Sequence, residues 1–193
     1  CDCATSRAAD RFEHVRGRPM ETANVVQAAV VGFPDQRVDR THLFVAGLRF
    51  NTLYRNRGNG TFEDVTVPAG LARRDPDYGT LWAVAAAFFD YDKDGWLDLF
   101  VSNYCVWDPE TEPICNRPEA PDYCHPDGYK GLPNSLYRNR GDGTFTDVSV
   151  ATGIRAHVGK GMGIGLADFD GDGWPDVFVS NDNEPAFLFH NRE

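Results

Sequence analysis

Positive charge is scarce in this sequence. Lysine and arginine number 19 against 29 aspartates and glutamates, a formal net charge of −10. Nucleic acid is held largely by clustered Lys and Arg. No such cluster occurs here, so cations suit the surface better than phosphates, and no nucleic-acid partner is expected. Long apolar runs are missing too. The longest, Val84 to Phe89, falls well short of the roughly 18 residues a spanning helix requires, and no membrane span is expected. Cysteine is sparse and poorly spaced for zinc: positions 1, 3, 105, 115 and 124 contain no C-x2-C pair. Disulfides in an oxidising compartment are the better reading. Cys115 and Cys124 are expected to bridge a proline-rich insertion, which leaves Cys105 for Cys1 or Cys3. Catalytic signatures are lacking as well. Five histidines show no H-E-x-x-H spacing, and neither C-x-x-C-H nor G-x-S-x-G occurs, so no catalytic residue is assigned. The glycine-rich stretch at 159–165 lacks the lysine of a phosphate loop and reads as close strand packing. The chain opens at Cys1 without methionine, which fits a processed product, a fragment or an acylated terminus.

What the sequence does contain is a repeat. Asn51 to Val65 returns as Asn134 to Val148 at a constant offset of 83, sharing Leu-Tyr-Arg-Asn-Arg-Gly-x-Gly-Thr-Phe-x-Asp-Val. The acidic stretch from Ala87 to Asn103 is echoed up to Asn181 at an offset of 78. Each unit resolves into four strand-like runs: an Ala/Gly-rich segment (residues 82–89 and 162–169), a run after the acidic loop (97–103 and 177–181), Leu-Tyr-Arg-Asn, and Thr-Phe-x-Asp-Val. Asn-Gly and Asp-Gly steps between the last two are hairpin signals, because both residues tolerate positive φ. Four antiparallel strands per repeat describe an all-β fold of propeller blades. The expected organisation is an N-terminal extension over residues 1–24, followed by a propeller segment over 25–193 with units at about 25–67, 81–150 and 161–193. The last unit aligns Phe189 to Arg192 with Tyr137 to Arg140 and stops before a fourth strand. About three units make a partial propeller, so the remaining blades are expected from further sequence or another chain. Repeated aromatics at Tyr54, Phe62, Trp96, Tyr137, Phe145 and Trp174 are expected in the core between blades.

Carboxylates fall at positions 1, 3, 5 and 9 of two nine-residue loops, Asp90, Asp92, Asp94 and Asp98, then Asp168, Asp170, Asp172 and Asp176. Calcium takes six to eight oxygens, and Asp at 1, 3 and 5 with Gly at 6 and a backbone carbonyl at 7 curls around such an ion. Gly95 and Gly173 fill the sixth position, and the carbonyls of Trp96 and Trp174 the seventh. Two Ca2+ sites follow. Magnesium, which demands a strict octahedron and several waters, suits them less. An EF-hand is excluded because its position-12 Glu is replaced by Val101 and Val179, and the following residues are strand formers. In the first unit Gly32 and Pro34 stand where Asp90 and Asp92 stand later, so Asp35 and Asp39 are not expected to hold metal.

These paired motifs, Phe-Asp-x-Asp-x-Asp-Gly-x-x-Asp-[Leu/Val]-Phe-Val and Leu-Tyr-Arg-Asn-x-Gly-x-Gly-Thr-Phe-x-Asp-Val, resemble FG-GAP/VCBS repeats. The closest subgroup is the bacterial ASPIC/UnbV-type and cartilage-acidic-protein-like propellers, and the likeness runs from about Val25 to Arg192. It implies a secreted or cell-surface calcium-binding propeller, the periplasm included. Such a module would serve recognition, adhesion or assembly with a protein partner or with itself, on a surface or filament. The alternative is the propeller scaffold of a secreted enzyme such as a polysaccharide lyase.

Overall fold

The computed structural model describes residues 30–35, 40–48, 50–72, 74–108, 110, 115–117, 120–122 and 124–192. The N-terminal extension, any pairing of Cys1 or Cys3, and residues 36–39 of the first unit's loop lie outside these. The first antiparallel sheet runs in sequence order through β1 (Val30–Asp35), β2 (Arg40–Ala46), β3 (Asn51–Asn56) and β4 (Phe62–Asp64). Pro34 can donate no ladder bond, and it lies on the edge strand β1, where that costs least.

The second sheet is interrupted. After β5 (Ala83–Phe89) and β6 (Asp98–Asn103) the chain leaves for a hairpin of β7 (Cys115–Arg117) and β8 (Ala120–Asp122) and a short β9 (Leu132–Pro133). It returns with β10 (Ser135–Asn139) beside β6 and closes with β11 (Phe145–Asp147), giving the order β5-β6-β10-β11. Cys115 and Cys124 form the expected disulfide across the excursion, their Cα atoms 5.1 Å apart. A third sheet holds β13 (Gly161–Ala167), β14 (Asp176–Asn181) and β15 (Phe187–Phe189), preceded by β12 (Val158–Gly159), which pairs with β9. Helical structure among the described residues amounts to two 3-10 turns, Pro126–Gly128 and Ile154–Ala156, so none is long and apolar enough to cross a membrane. The fold is all-β and propeller-like.

Local chemistry explains the repeated motif. In each Gly-x-Gly turn both glycines have positive φ, 76° and 82° at Gly58 and Gly60, 74° and 90° at Gly141 and Gly143. Asn56 and Asn139 accept the N–H of the first glycine through Oδ1. The Asp of Thr-Phe-x-Asp-Val works as a turn former. Asp64 Oδ1 accepts from the Thr66 N–H and hydroxyl, and Thr66 Oγ1 in turn accepts the Leu53 N–H. Asp147, Ser149 and Leu136 reproduce this set.

The core lies between consecutive sheets. Because successive side chains on a strand face opposite ways, β6 serves both neighbours. Leu99 and Val101 pack with Phe44, Leu53, Ala69 and Leu71 of the first unit, while Phe100 packs with Val177 and Val179 of the third sheet. All six residues of β6 are buried. The glycine-rich stretch packs closely as expected: a Cβ at Gly131 would fall 2.5 Å from the Gly159 carbonyl oxygen. Tyr137 and Phe145 join the core, but four other aromatics depart from the expectation, Tyr54 among them, which stays half-buried on β3. Phe62 is 38% exposed, because the described residues supply no preceding sheet to cover it as the first sheet covers Phe145. Trp96 and Trp174 stay half-buried beside the acidic loops. The Trp96 indole occupies the space a Cβ on Gly141 would need.

One ion pair fastens the first unit's trailing segment to the second. Arg155, on the turn after β11, bonds Asp75 through both guanidinium nitrogens and reaches Asp77 at 2.7 Å. Burial alone would raise the Asp75 carboxyl, but the Arg155 bond and the N–H groups of Asp77 and Tyr78 override it and hold it below the usual carboxylate range. A depressed folded-state value stabilises above the unfolded pKa of about 4, and that stabilisation disappears as pH falls through the folded value. Arg155→Ala is therefore expected to cost roughly 2 kcal/mol near neutrality, less than for a fully buried pair. The gap between variant and parent in urea melts should narrow below pH of about 4. An equal gap at both pH values would refute this account.

Candidate metal centres

The loops between β5 and β6 and between β13 and β14 share the bonds from the glycine at position 6 to the first Asp and from the tryptophan at position 7 to the third Asp, and differ in the other N–H that the first Asp accepts. In the first, Asp90 accepts the Asp94 and Gly95 N–H groups at 3.0 and 2.9 Å, and Asp94 accepts Trp96 N–H at 2.9 Å. In the second, Asp168 accepts from Gly171 and Gly173 at 2.7 and 2.8 Å, and Asp172 from Trp174 at 2.8 Å. These bonds curl each loop so that its carboxylates converge.

Three carboxylates meet at each centre. Oxygens of Asp90, Asp92 and Asp98 lie within 4.8 Å of one another, and so do those of Asp168, Asp170 and Asp176. Asp98 and Asp176, each the first residue of its strand, form the floor at 0% and 1% exposure. Asp94 and Asp172 fall outside these two triads. All the oxygens are hard donors on a small radius, which fits calcium.

The electrostatics show why a cation suits the first centre. Burial pushes the Asp98 carboxyl up to about 7, and Asp92 and Asp94 add to the rise against backbone N–H bonds from Asn139 and Tyr91. Asp92 is raised by burial and then by Asp94. Asp176 is different. Burial would raise it, but N–H bonds from Asn191 and Phe169, with His190 nearby, bring it below its ordinary value.

Four residues of the Leu-Tyr-Arg-Asn run and its copy complete the centres, and sequence reasoning assigned them to strands alone. Asn139 donates its backbone N–H to Asp98 at 2.7 Å and its side-chain amide to the Leu97 carbonyl at 3.0 Å. Asn191 does the same for Asp176 and Pro175 and also donates to the Tyr91 carbonyl in the other loop at 2.7 Å. Arg138 reaches across to Asp92 and Asp94 at 2.7 and 3.0 Å, and His190 lies 2.5 Å from Asp170. The available signal was the alignment of Arg138-Asn139 with His190-Asn191, a polar pair repeated at the end of a strand.

The two loops touch. Lys93 Nζ sits 4.1 Å from the centre of the Trp174 ring. Lys93 has a φ of 56°, in the left-handed region, and its counterpart in the second loop is Gly171 at 78°. Lys93→Gly would release roughly 1 kcal/mol of backbone cost and forfeit about as much in the cation–ring contact. The two nearly cancel, so the melting midpoint should move by no more than a few degrees, the shift about 0.5 kcal/mol produces. A clear drop would show that the contact outweighs the strain.

A family model described as FG-GAP-like repeat matches residues 40–101 and 124–179, together more than half of the chain. Cartilage acidic protein 1 of Xenopus tropicalis is 42% identical over 77 residues, covering 40% of this chain and 11% of that protein. The human protein of the same name is 31% identical over 122 residues, 63% of this chain and 18% of the relative. The mouse one is 28% identical over 180 residues, 93% of this chain and 26% of the relative. The chain thus spans about a quarter or less of the length of these relatives.

Proposed function

The chain belongs to the FG-GAP-like repeat family, and on that premise we propose that it is a calcium-binding propeller module of an extracellular or cell-surface protein, serving recognition, adhesion or assembly without catalysis. The observation that carries this reading is the pair of equivalent carboxylate triads, each held by N–H bonds from the glycine and the tryptophan of its loop and floored by a buried Asp. Asp90, Asp92 and Asp98 would hold one ion and Asp168, Asp170 and Asp176 the other. Asp94, Asp172 and the carbonyls of Trp96 and Trp174 would complete the oxygen set. Calcium supplies charge neutralisation and cross-linking there, tying the start of one strand to the end of the one before it. The disulfide and the extracellular context suggested by the relatives' name support secretion. Further blades, from more sequence or another chain, would complete the propeller, and a protein partner or self-assembly would use its surface.

Calorimetric titration of the metal-free chain with calcium is the test. Two sites are expected, and Asp90→Asn or Asp168→Asn should each leave one. Magnesium should bind markedly more weakly. No heat attributable to binding at millimolar calcium would overturn the proposal.

A further inference from the structure

Asn59-Gly60 is the only Asn-Gly step in the sequence, and its copy one unit on is Asp142-Gly143. The pair forms the tip of the turn between β3 and β4, where residues 57–62 are all exposed. The two turns hold their tips alike. Asn59 Oδ1 accepts the Thr61 N–H at 3.1 Å and its hydroxyl at 2.6 Å, and Asp142 Oδ1 accepts the same two groups of Thr144 at 2.9 and 2.6 Å. One fold of the turn therefore takes an amide in the first unit and a carboxylate in the second.

Three groups decide whether an asparagine amide survives: its carbonyl carbon, the amide it would lose, and the backbone nitrogen that follows. At Asn59 two donors on Oδ1 draw electrons from Cγ and would hold the oxyanion formed when a nucleophile adds there. Among the described residues neither the Gly60 N–H nor the Asn59 Nδ2 has a hydrogen-bond partner, so nucleophile and leaving group are both open to water. No side chain crowds the approach. Gly60 has a φ of 82°, a conformation glycine adopts freely, and a Cβ built there would meet nothing within 4 Å. Other asparagines are protected. Asn139 and Asn191 donate their side-chain amides to the carbonyls of Leu97, and of Tyr91 and Pro175, and an arginine follows each. Asn103 and Asn181 donate theirs to the Pro133 and Pro185 carbonyls.

We infer that Asn59 is a site of self-modification, at which the Gly60 nitrogen displaces ammonia from the side chain and the resulting cyclic imide opens with water to aspartate or isoaspartate. The Gly60 nitrogen gives up its proton and forms a bond to Cγ. The bond from Cγ to Nδ2 breaks, and Nδ2 leaves as ammonia with that proton. Water then adds its hydroxyl to one imide carbonyl and its hydrogen to the ring nitrogen, so no oxidant or reductant takes part. Aspartate at 59 takes the place that Asp142 already holds in the copy, and the turn accepts it with one more negative charge. Isoaspartate instead adds a carbon to the main chain at the tip, between strands whose last pair is Asn56 and Phe62. The inference is independent of metal binding, because the turn shares no residue with either acidic loop.

The test stores the 193-residue chain in warm, mildly alkaline buffer made with heavy-oxygen water and maps its peptides at intervals. The peptide spanning Asn59 should change from amide to acid, take up one heavy oxygen and separate into aspartate and isoaspartate forms. Conversion should run roughly tenfold or more faster than at any other asparagine. It should also quicken as pH rises, since the backbone nitrogen reacts as its anion. Asn59→Asp should melt with the parent protein. No conversion at Asn59, or conversion no faster than elsewhere, overturns the inference. Aspartate without isoaspartate would mean direct hydrolysis and overturns the cyclic route, and a marked loss of stability in Asn59→Asp overturns the match to Asp142.

Discussion

Chelating calcium should lower the stability of this chain by roughly 5 kcal/mol when free calcium had been a hundredfold above its dissociation constant, about 2.7 kcal/mol for each of two sites. That is a large part of the 5–15 kcal/mol typical of a folded domain. The effect is expected because each triad brings three carboxylates within 4.8 Å and buries one of them completely at the base of a strand. Without a cation the charges repel one another, and among the described residues Arg138 reaches in at the first centre and His190 at the second. Asp92→Asn combined with Asp170→Asn should reproduce the loss and make the melting temperature insensitive to EDTA. An unchanged melt after EDTA in protein shown to be metal-free would refute a stabilising role for calcium.

Phe100→Ala is expected to cost about 3–5 kcal/mol, whereas Phe178→Ala, at the same position of the next unit, should cost less than about 1 kcal/mol. Both occupy the middle of Leu-Phe-Val or Val-Phe-Val, and both sit between a small residue on the preceding strand and a leucine on the following one. Phe100 lies between Ala87 and Leu136, Phe178 between Gly165 and Leu188. Phe100 is fully covered by the third sheet, while Phe178 remains 39% exposed and Leu188 57%. Urea denaturation of the two variants decides the matter. Equal losses would mean that Phe178 is covered in solution, and that the outer face of the third sheet finds a partner there.

Much of this was legible because duplication repeats chemistry as well as shape. The strand-forming runs, the Gly-x-Gly turns and the disulfide follow from residue type and spacing, and the two acidic loops announce themselves by carboxylates at alternate positions. Other features needed the fold. The Asp64 and Asp147 side chains act as turn formers, each accepting through Oδ1 from Thr66 or Ser149, a role the repeat alone does not show. Asn139 and Asn191 reach Asp98 and Asp176 of the carboxylate triads by backbone N–H, which no side-chain pattern records. The exposure of Phe62 has a separate cause from that of Trp96 and Trp174, which sit on loops. Strand alternation says that a residue faces a sheet, but coverage depends on what lies opposite, so Phe62 is exposed where Phe145 is not. The Arg155–Asp75 pair joins residues 80 apart and has no local signature.

The contact between Lys93 and Trp174 has an optical consequence. An ammonium held over an indole ring perturbs its emission, and here the ammonium belongs to one acidic loop and the ring to the other. Ion binding that reshaped either loop would change the distance between them, and Trp174 would then act as an intrinsic fluorophore reporting on both loops at once. Occupancy could thus be followed without a label. In the Lys93→Gly protein the same titration should lose the part of the signal that the first loop transmits.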